Sequence, residues 1–152
     1  MSPLRKVKID KHKDHKEFSQ GSQSVELHLR ENFSGKVIHG LKKGRGFGFP
    51  TANILLDDSD LVIDKGVYAV DVFLDNVIYQ GMLYVGNRPT LAMNTLSIEI
   101  HIFDFNETIY DKKLQFIILK KIRNEIKFDT TEQLITQLNI DKYEIKSFFS
   151  CL

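Results

Sequence analysis

"GVYAVDVFLDNVIYQGMLYVG", residues 66–86, decides the fold, because it reads as two strands joined by a tight turn. Its first half alternates in the manner of a β-strand, with Val67, Ala69, Asp71 and Phe73 on one face and Tyr68, Val70, Val72 and Leu74 on the other. Asp75-Asn76 then supplies two residues that tolerate a tight turn. The stretch predicts an antiparallel hairpin.

Short stretches on both sides of the hairpin repeat the β pattern. "FSGKVIHG" (33–40) predicts a strand that ends at Gly40, and "KLQFIILKKI" (113–122) predicts another. "LSIEIHIFDF" (96–105) alternates as well, with Ser97, Glu99, His101 and Phe103 on one face and Ile98, Ile100 and Ile102 on the other. Strands at short, even intervals favour a small closed barrel over βαβ units.

The C-terminal part changes to a helical period. In "DTTEQLITQL" (129–138), Thr130 followed by Gln133 fits a capping box, and Leu134, Ile135 and Leu138 have helical spacing. "DKYEIKSFF" (141–149) predicts a second helical stretch. The expected order is therefore strands first and helix last.

Length and composition limit the class of protein. The 152 residues suit one compact domain, and the formal net charge of +1 gives no strong field for nucleic acid or an acidic membrane. The single cysteine, Cys151, excludes an intramolecular disulfide framework. No apolar run approaches the roughly 20 residues of a membrane span, and the charged N-terminus lacks a signal-peptide core. We therefore expect a cytoplasmic protein.

Residues 1–32 differ from the remainder of the chain. "KVKIDKHKDHKEFSQGSQS" (6–24) is polar and mixed in charge, so it cannot bury enough surface to offset its ordering entropy. His12, His15 and His28 raise the alternative of a metal site, but no cysteine joins them and their surroundings are polar. We expect a flexible arm over 1–32 and one domain over 33–152.

The glycine-rich stretch "GRGFGFPTAN" (44–53) is the first candidate site. It fits neither a Walker A loop nor a dinucleotide fingerprint, and a barrel corner is its plain structural interpretation. Backbone N–H groups in such a loop can approach phosphate oxygens, with Lys42, Lys43 and Arg45 adding positive charge. Thr51 and Asn53 add oxygen ligands of the kind that Mg²⁺ prefers.

Three other stretches contain candidate residues. Glu99 lies among isoleucines in mid-strand, where it is either part of a solvated outer face or a carboxylate able to accept a proton from a substrate hydroxyl. "YVGNRPT" (84–90) reads first as a turn after a strand. In "IRNEIKF" (122–128), Arg123 and Phe128 are either a connector or a guanidinium and an aromatic ring offered to a planar ligand.

The chain contains six motifs in one order. They are G-x-V-x-x-G at 35–40, G-R-x-x-G-x-P-T-A-N at 44–53, G-V-Y-A at 66–69, G-x-R-P-T at 86–90, E-x-H-x-x-x-F at 99–105 with Tyr110 in the following loop, and R-x-E-x-x-F at 123–128. With these motifs the chain resembles the riboflavin kinase (flavokinase) family, as found in the kinase module of bifunctional bacterial riboflavin kinase/FMN adenylyltransferases. The resemblance runs from about Phe33 to the end of the predicted helix.

The resemblance implies a mostly β fold: a six-stranded antiparallel, Greek-key barrel of the split type with a C-terminal helix. It implies ATP-dependent phosphorylation of the riboflavin 5′-hydroxyl, giving FMN and ADP. The implied partners are riboflavin or FMN and ATP or ADP, and we expect no nucleic acid, no membrane and a monomer. The implied base is Glu99, and the implied ligands of Mg²⁺ (or another divalent cation) and of the ATP phosphates are Thr51 and Asn53. A loop over the nucleotide would contain Gly40, Gly44 and Arg45. Ile102 and Tyr110 would lie near ATP, and Arg123 and Phe128 near the flavin.

Two departures from the family pattern qualify the resemblance. Many bacterial members have a glycine after the tyrosine, where this chain has Asp111, and we expect this to alter the loop rather than the chemistry. The residues before the match are too few for an adenylyltransferase domain, so we expect FMN and not FAD as product. A free-standing enzyme and a fragment of a bifunctional one both remain open.

Two alternatives belong to other functional classes. A barrel that binds flavin without turnover would retain the same polar positions. A small barrel that binds nucleic acid is disfavoured, since the net charge is near zero and basic and aromatic residues are not interleaved.

Overall fold

A computed structural model of the chain describes residues 31–39, 48–58, 61–89 and 94–152. These residues form six strands and a helix: β1 (Asn32–Ile38), β2 (Ala52–Leu56), β3 (Gly66–Leu74), β4 (Val77–Pro89), β5 (Asn94–Ile102), β6 (Lys113–Asn124) and α1 (Thr131–Ser150). The strands close into an antiparallel barrel in the order β1-β2-β5-β4-β3-β6. The predicted six-stranded barrel with a C-terminal helix is confirmed.

The topology contains a Greek key. Strands β3, β4 and β5 pair in sequence, and β6 returns to lie beside β3 on its other side. The predicted turn between β3 and β4 is present, with φ of 50° at Asp75 and 65° at Asn76. Positive φ at both central residues suits the right-handed twist of a two-residue hairpin.

Alternation along the strands produces two apolar clusters. Side chains that point into the barrel, including Val70, Leu83, Ile100 and Phe116, form the larger one. Some residues on the outer face are also buried, because α1 covers them and inserts Ile145 between the sheet and the helix. That cluster consists of Phe49, Val67, Ala69, Met82, Phe103 and Ile145. The outer face of the barrel is therefore solvated only in part.

The helix is a single element. We predicted that the helical pattern continues from Asp141 as a second stretch, and residues 141–149 are indeed helical; they are joined to the first stretch, because α1 continues unbroken from Thr131 to Ser150. No glycine or proline interrupts it, and its middle is held to the barrel by the buried Asp141. At its start, Thr130 Oγ1 accepts from Gln133 N at 3.2 Å, as predicted, while Gln133 Oε1 accepts from Asp129 N at 3.1 Å.

Two expectations concern the N-terminal part of the chain. β1 begins at Asn32, and it ends at Ile38, two residues before the predicted end. Residues 1–30 lie outside the described residues, so the flexible arm stays a prediction. Among the residues that the structure describes, no helix is long and apolar enough to cross a membrane.

Candidate active site

One row of paired residues runs around the outer face of the barrel and includes three of the predicted site residues. Asn53 on β2 pairs with Glu99 on β5, and Glu99 pairs with Tyr84 on β4. Tyr84 in turn pairs with Val67 on β3, which pairs with Arg123 on β6. Because neighbouring strands are about 4.8 Å apart, Glu99 lies next to Asn53 and about 14 Å from Arg123 along the row.

Glu99 is held by hydroxyl donors on both carboxylate oxygens. Thr51 Oγ1 donates to Glu99 Oε1 at 3.2 Å, and Ser97 Oγ donates to Oε2 at 3.4 Å. Glu99 is half-buried, so it is neither the fully solvated carboxylate of an outer face nor inaccessible. The structure thus brings Glu99 together with Thr51 and Asn53, although Glu99 is almost 50 positions away from them in the chain.

The oxygen atoms of this group suit a hard divalent cation. Thr51 offers a hydroxyl, Asn53 an amide oxygen on a side chain that is only 5% exposed, and Glu99 a carboxylate beside them. Among the described residues there is no cluster of three or more His, Cys, Asp or Glu side chains that could hold a metal by themselves. A donor set this small fits Mg²⁺, which usually completes its shell with water and phosphate oxygens.

A cleft of about 430 Å³ opens beside Thr51 at one end of the barrel. Pro50, Thr51 and Ala52 line one side, and the loop 105–110 lines the other. Ile102 and Tyr110 both belong to the lining, and the ring of Tyr110 stacks on His39 with centroids 3.8 Å apart. The volume lies in the range of small-molecule sites, so the cleft can take a nucleotide-sized ligand.

Tyr84 is a member of the row that the sequence analysis did not single out. Its hydroxyl donates to Glu125 Oε1 at 3.1 Å. Burial, followed by the charge and the hydrogen bond of Glu125 and by the charge of Glu99, raises the pKa of Tyr84 to about 12. The phenol therefore stays protonated at neutral pH and separates the two carboxylates.

Gly86 gives the Tyr84 ring its place. A Cβ at Gly86 would lie 2.7 Å from Tyr84 Cε1 and 2.9 Å from its hydroxyl oxygen. The glycine in the G-x-R-P-T element thus leaves room for an aromatic side chain that lies along the strand. Residue spacing alone contains no signal for this contact.

Arg123 is tied to the helix by a buried ion pair. Its Nε donates to both oxygens of Asp141, at 2.9 and 3.0 Å, and its Nη2 donates to Oδ2 at 2.8 Å. Asp141 is 1% exposed and also accepts from Gln137 Nε2 at 2.9 Å. The Arg123 guanidinium carbon lies 5.9 Å from the centroid of the Phe128 ring, so the predicted pair does come together.

Asp141 was missed by the sequence analysis. A lone aspartate in a helical pattern resembles an ordinary solvated residue, and only the pairing with β6 reveals its burial. Gly40, Gly44 and Arg45, the predicted loop over the nucleotide, lie outside the described residues.

Proteins of a known family resemble this chain over most of its length. The chain matches the family "Flavokinase: Riboflavin kinase" over residues 27–149. It is 43% identical over 133 residues to a bifunctional riboflavin kinase/FMN adenylyltransferase of Haemophilus influenzae, covering 82% of this chain and 43% of that protein. It is 40% identical over 121 residues to the protein of the same description from Bacillus subtilis, covering 78% and 38%. The chain thus spans about two fifths of the length of these curated relatives.

Two solved structures share the fold of this chain. A structure described as a macrolide-efflux protein from Streptococcus pneumoniae superimposes with a TM-score of 0.73 at 31% identity, covering 83% of this chain and 46% of that chain. A riboflavin kinase from Trypanosoma brucei superimposes with a TM-score of 0.55 at 23% identity, covering 78% and 79%, which supports the same barrel. Since the family match takes in every described strand and nearly all of α1, the chain belongs to the riboflavin kinase (flavokinase) family.

Proposed function

We propose that the chain transfers the γ-phosphoryl group of ATP to the 5′-hydroxyl of riboflavin, giving FMN and ADP. One observation carries the proposal: Thr51 donates to Glu99 beside the buried Asn53, at the edge of a cleft of about 430 Å³. Phosphoryl transfer needs mainly positioning and charge neutralisation; these side chains would supply the positioning, and a divalent cation bound to them would supply the neutralisation. Membership in the riboflavin kinase family supports the choice of substrates.

Glu99 is the proposed base. The riboflavin 5′-oxygen forms a bond to the γ-phosphorus, the bond from that phosphorus to the β,γ-bridging oxygen breaks, and ADP leaves. The hydroxyl proton passes to Glu99, whose carboxylate is held at a defined position by Thr51 and Ser97. A base fixed in this way needs little reorganisation when the substrate arrives.

Thr51 and Asn53 are the proposed ligands of Mg²⁺, which would neutralise charge on the β- and γ-phosphates. The neighbourhood supports this assignment, because two neutral oxygen donors lie there beside the Glu99 carboxylate. The Thr51 hydroxyl oxygen could bind the cation through a lone pair while its hydrogen stays directed at Glu99, so the carboxylate would keep its position.

The remaining predicted contacts divide between two places. Ile102 and Tyr110 line the cleft and are the proposed neighbours of ATP, together with the loop residues Gly40, Gly44 and Arg45. Arg123 and Phe128 are the proposed neighbours of the flavin. Because the ion pair with Asp141 already holds Arg123, we propose that it contacts the flavin mainly through the face and the remaining N–H groups of its guanidinium.

A direct assay tests the proposal. Purified protein is incubated with ATP, Mg²⁺ and riboflavin, and the flavins are separated by chromatography so that FMN and FAD are scored independently. We expect FMN and an equal amount of ADP. If wild-type protein forms neither FMN nor ADP under conditions in which it is folded, the kinase activity is excluded.

A non-catalytic flavin-binding module is the second candidate. It would keep the barrel and the Arg123–Phe128 pair but would not use Glu99. Flavin fluorescence separates the two functions, since this alternative predicts riboflavin quenching on binding without ADP release.

A further inference from the structure

The junction between β2 and β5 is a short one. Its ladder contains the pairs Ala52–Ile100 and Asn53–Glu99. The ladder between β5 and β4, on the other side, runs from Gly81–Ile102 to Pro89–Asn94. The next position beyond Ala52–Ile100 would oppose Thr51 and His101, so Thr51 lies just where main-chain pairing stops. Main-chain pairing with β5 therefore does not extend to Thr51.

The side chain of His101 forms a hydrogen bond to the backbone at this position. Its Nδ1 lies 2.8 Å from the carbonyl oxygen of Pro50, the residue directly before Thr51. A carbonyl oxygen can only accept, so Nδ1 is the donor. Burial lowers the pKa of His101, with the charges of Lys142 and Lys146 acting in the same direction and the Pro50 hydrogen bond and Asp104 opposing them. The ring is therefore neutral near pH 7, and its single N–H is on Nδ1.

The ring of His101 cannot easily turn away from Pro50. Phe49 and Phe103 meet it edge-on, with centroids at 5.4 and 5.6 Å. Lys142 of α1 lies over both phenylalanine rings, at 5.7 and 5.9 Å from their centroids. His101 is 7% exposed between these two rings. Because Lys142 lies over both rings, the orientation of the His101 ring depends on the position of α1.

The hydrogen bond sets the plane of the Pro50–Thr51 peptide. The described residues contain no cis peptide bond, so the Thr51 N–H points away from the carbonyl of Pro50 and hence away from His101. A fixed peptide plane also restricts the direction of the Thr51 Cα–Cβ bond. It therefore restricts the position of the Thr51 hydroxyl, which donates to Glu99 Oε1 at 3.2 Å.

We infer that His101 is a positioning residue for Thr51, which it holds at the end of the short β2–β5 ladder through the Pro50 carbonyl. The inference rests on the proposed function only in its kinetic consequence, since the contact itself can be measured without turnover. His101 acts through the backbone and does not touch the substrates. Loss of the contact should weaken MgATP binding and leave riboflavin binding largely intact.

Two amide variants separate this role from packing. Asn can present an N–H near the position of imidazole Nδ1, whereas Gln presents one near Nε2, and both remove the ring. We expect His101→Gln to raise the KM for MgATP about tenfold, equal to about 1.4 kcal/mol. We expect His101→Asn to stay within about threefold of wild type, and the KM for riboflavin to change less than about twofold in both.

Nuclear magnetic resonance gives a readout that needs no activity. In wild type, long-range ¹H–¹⁵N spectra should show the Nδ1–H tautomer at His101. The Thr51 amide signal should keep its shift in His101→Asn and move in His101→Gln. An Nε2–H tautomer would overturn the inference, as would a Thr51 amide that responds alike to both variants.

Failure of this inference is distinguishable from failure of the proposed function. If wild type forms no FMN, the kinase activity fails, yet the tautomer and the Thr51 amide still decide the role of His101. If both variants lower the melting temperature equally and change both KM values in parallel, His101 is a packing residue and the inference is wrong.

Discussion

Thr51 Oγ1 donates a hydrogen bond to Glu99 Oε1 over 3.2 Å, across the junction of β2 and β5. The contact joins the end of the glycine-rich motif to the carboxylate of a strand that is almost 50 positions away. It brings the proposed metal ligand and the proposed base to one place at the edge of the cleft.

Glu99→Gln should abolish most of the turnover. The amide keeps an oxygen that can accept from Thr51, but it cannot take the proton of the 5′-hydroxyl. We expect kcat to fall by about 10²- to 10⁴-fold, the usual contribution of a general base, with a modest change in ATP binding. Steady-state kinetics and calorimetric titration of a non-hydrolysable ATP analogue measure the two effects.

Glu132→Gln is a matched control, because Glu132 is an exposed carboxylate in the first turn of α1. It should leave kcat unchanged. Equal turnover in Glu99→Gln and wild type would remove Glu99 as the base.

Arg123→Met should lower the free energy of unfolding, and it should also remove any contact between Arg123 and the flavin. The substitution leaves the carboxylate of Asp141 buried with only Gln137 as a hydrogen-bond donor from a side chain. Breaking a buried ion pair from one side costs about 3–5 kcal/mol. Urea denaturation, with the free energy of unfolding extrapolated to water, measures this loss.

The double variant Arg123→Met with Asp141→Leu tests the cause. Replacing both charges with apolar side chains leaves no buried charge without a partner, so the pair of substitutions should cost less than Arg123→Met alone. A double variant whose loss equals the sum of the single losses would contradict the ion-pair explanation.

Tyr84 should make the stability depend on pH in the alkaline range. Its pKa is raised to about 12 in the folded protein, whereas the pKa of a tyrosine in the unfolded chain is near the ordinary value of 10.0. Between these values the unfolded chain releases the proton and the folded one retains it. The stabilisation is therefore fully present below pH 10 and is lost as the pH rises toward 12.

Denaturation midpoints at pH 9, 10 and 11 check this sign. The Tyr84→Phe variant lacks the titrating group, so its stability should fall less steeply over the interval than that of wild type. Parallel curves for the two proteins would refute a raised pKa at Tyr84.

Asp111 occupies a backbone conformation that favours glycine. Its φ is 67°, and its N–H donates to the carbonyl of Val37 at 2.9 Å. Aspartate and asparagine tolerate this region better than most residues, which explains how the loop accepts a residue other than glycine. An aspartate can thus occupy this turn.

Substitutions at Asp111 should follow backbone preference rather than charge. The ion pair with Lys36, at 3.7 Å between exposed groups, contributes little. Asp111→Gly and Asp111→Asn should stay within about 1 kcal/mol of wild type, and Asp111→Val should cost more than about 1 kcal/mol. Thermal denaturation of the three variants decides between them. A larger loss in Asp111→Asn than in Asp111→Val would mean that charge dominates.

Gly86→Ala should displace the Tyr84 ring, since the added methyl would lie 2.7 Å from Cε1. We expect a loss of about 1–3 kcal/mol in the free energy of unfolding. In a Tyr84→Ala background the ring is gone, and the same substitution should cost much less. Urea denaturation measures the loss in both backgrounds. Equal losses would contradict a clash with the Tyr84 ring as the cause.

Much of the fold could be predicted from the residues in their order along the chain. Alternation in 66–86 marks the hairpin, Asp75-Asn76 marks its turn, and Thr130 marks the start of the helix. These features are local, because strand alternation, turn geometry and helix capping depend on residues a few positions apart. The ion pair that anchors the middle of the helix at Asp141 was not predicted, since it depends on a residue in β6.

The sequence by itself determined which side chains share a strand face, and so it placed Ser97, Glu99 and His101 together. Only the tertiary structure decided that Asn53 pairs with Glu99, that Tyr84 lies between Glu99 and Arg123, and that His101 reaches Pro50. The physical reason is that the period of two along a strand is set by the backbone, whereas the register between strands is set by closing the barrel and burying its two apolar clusters.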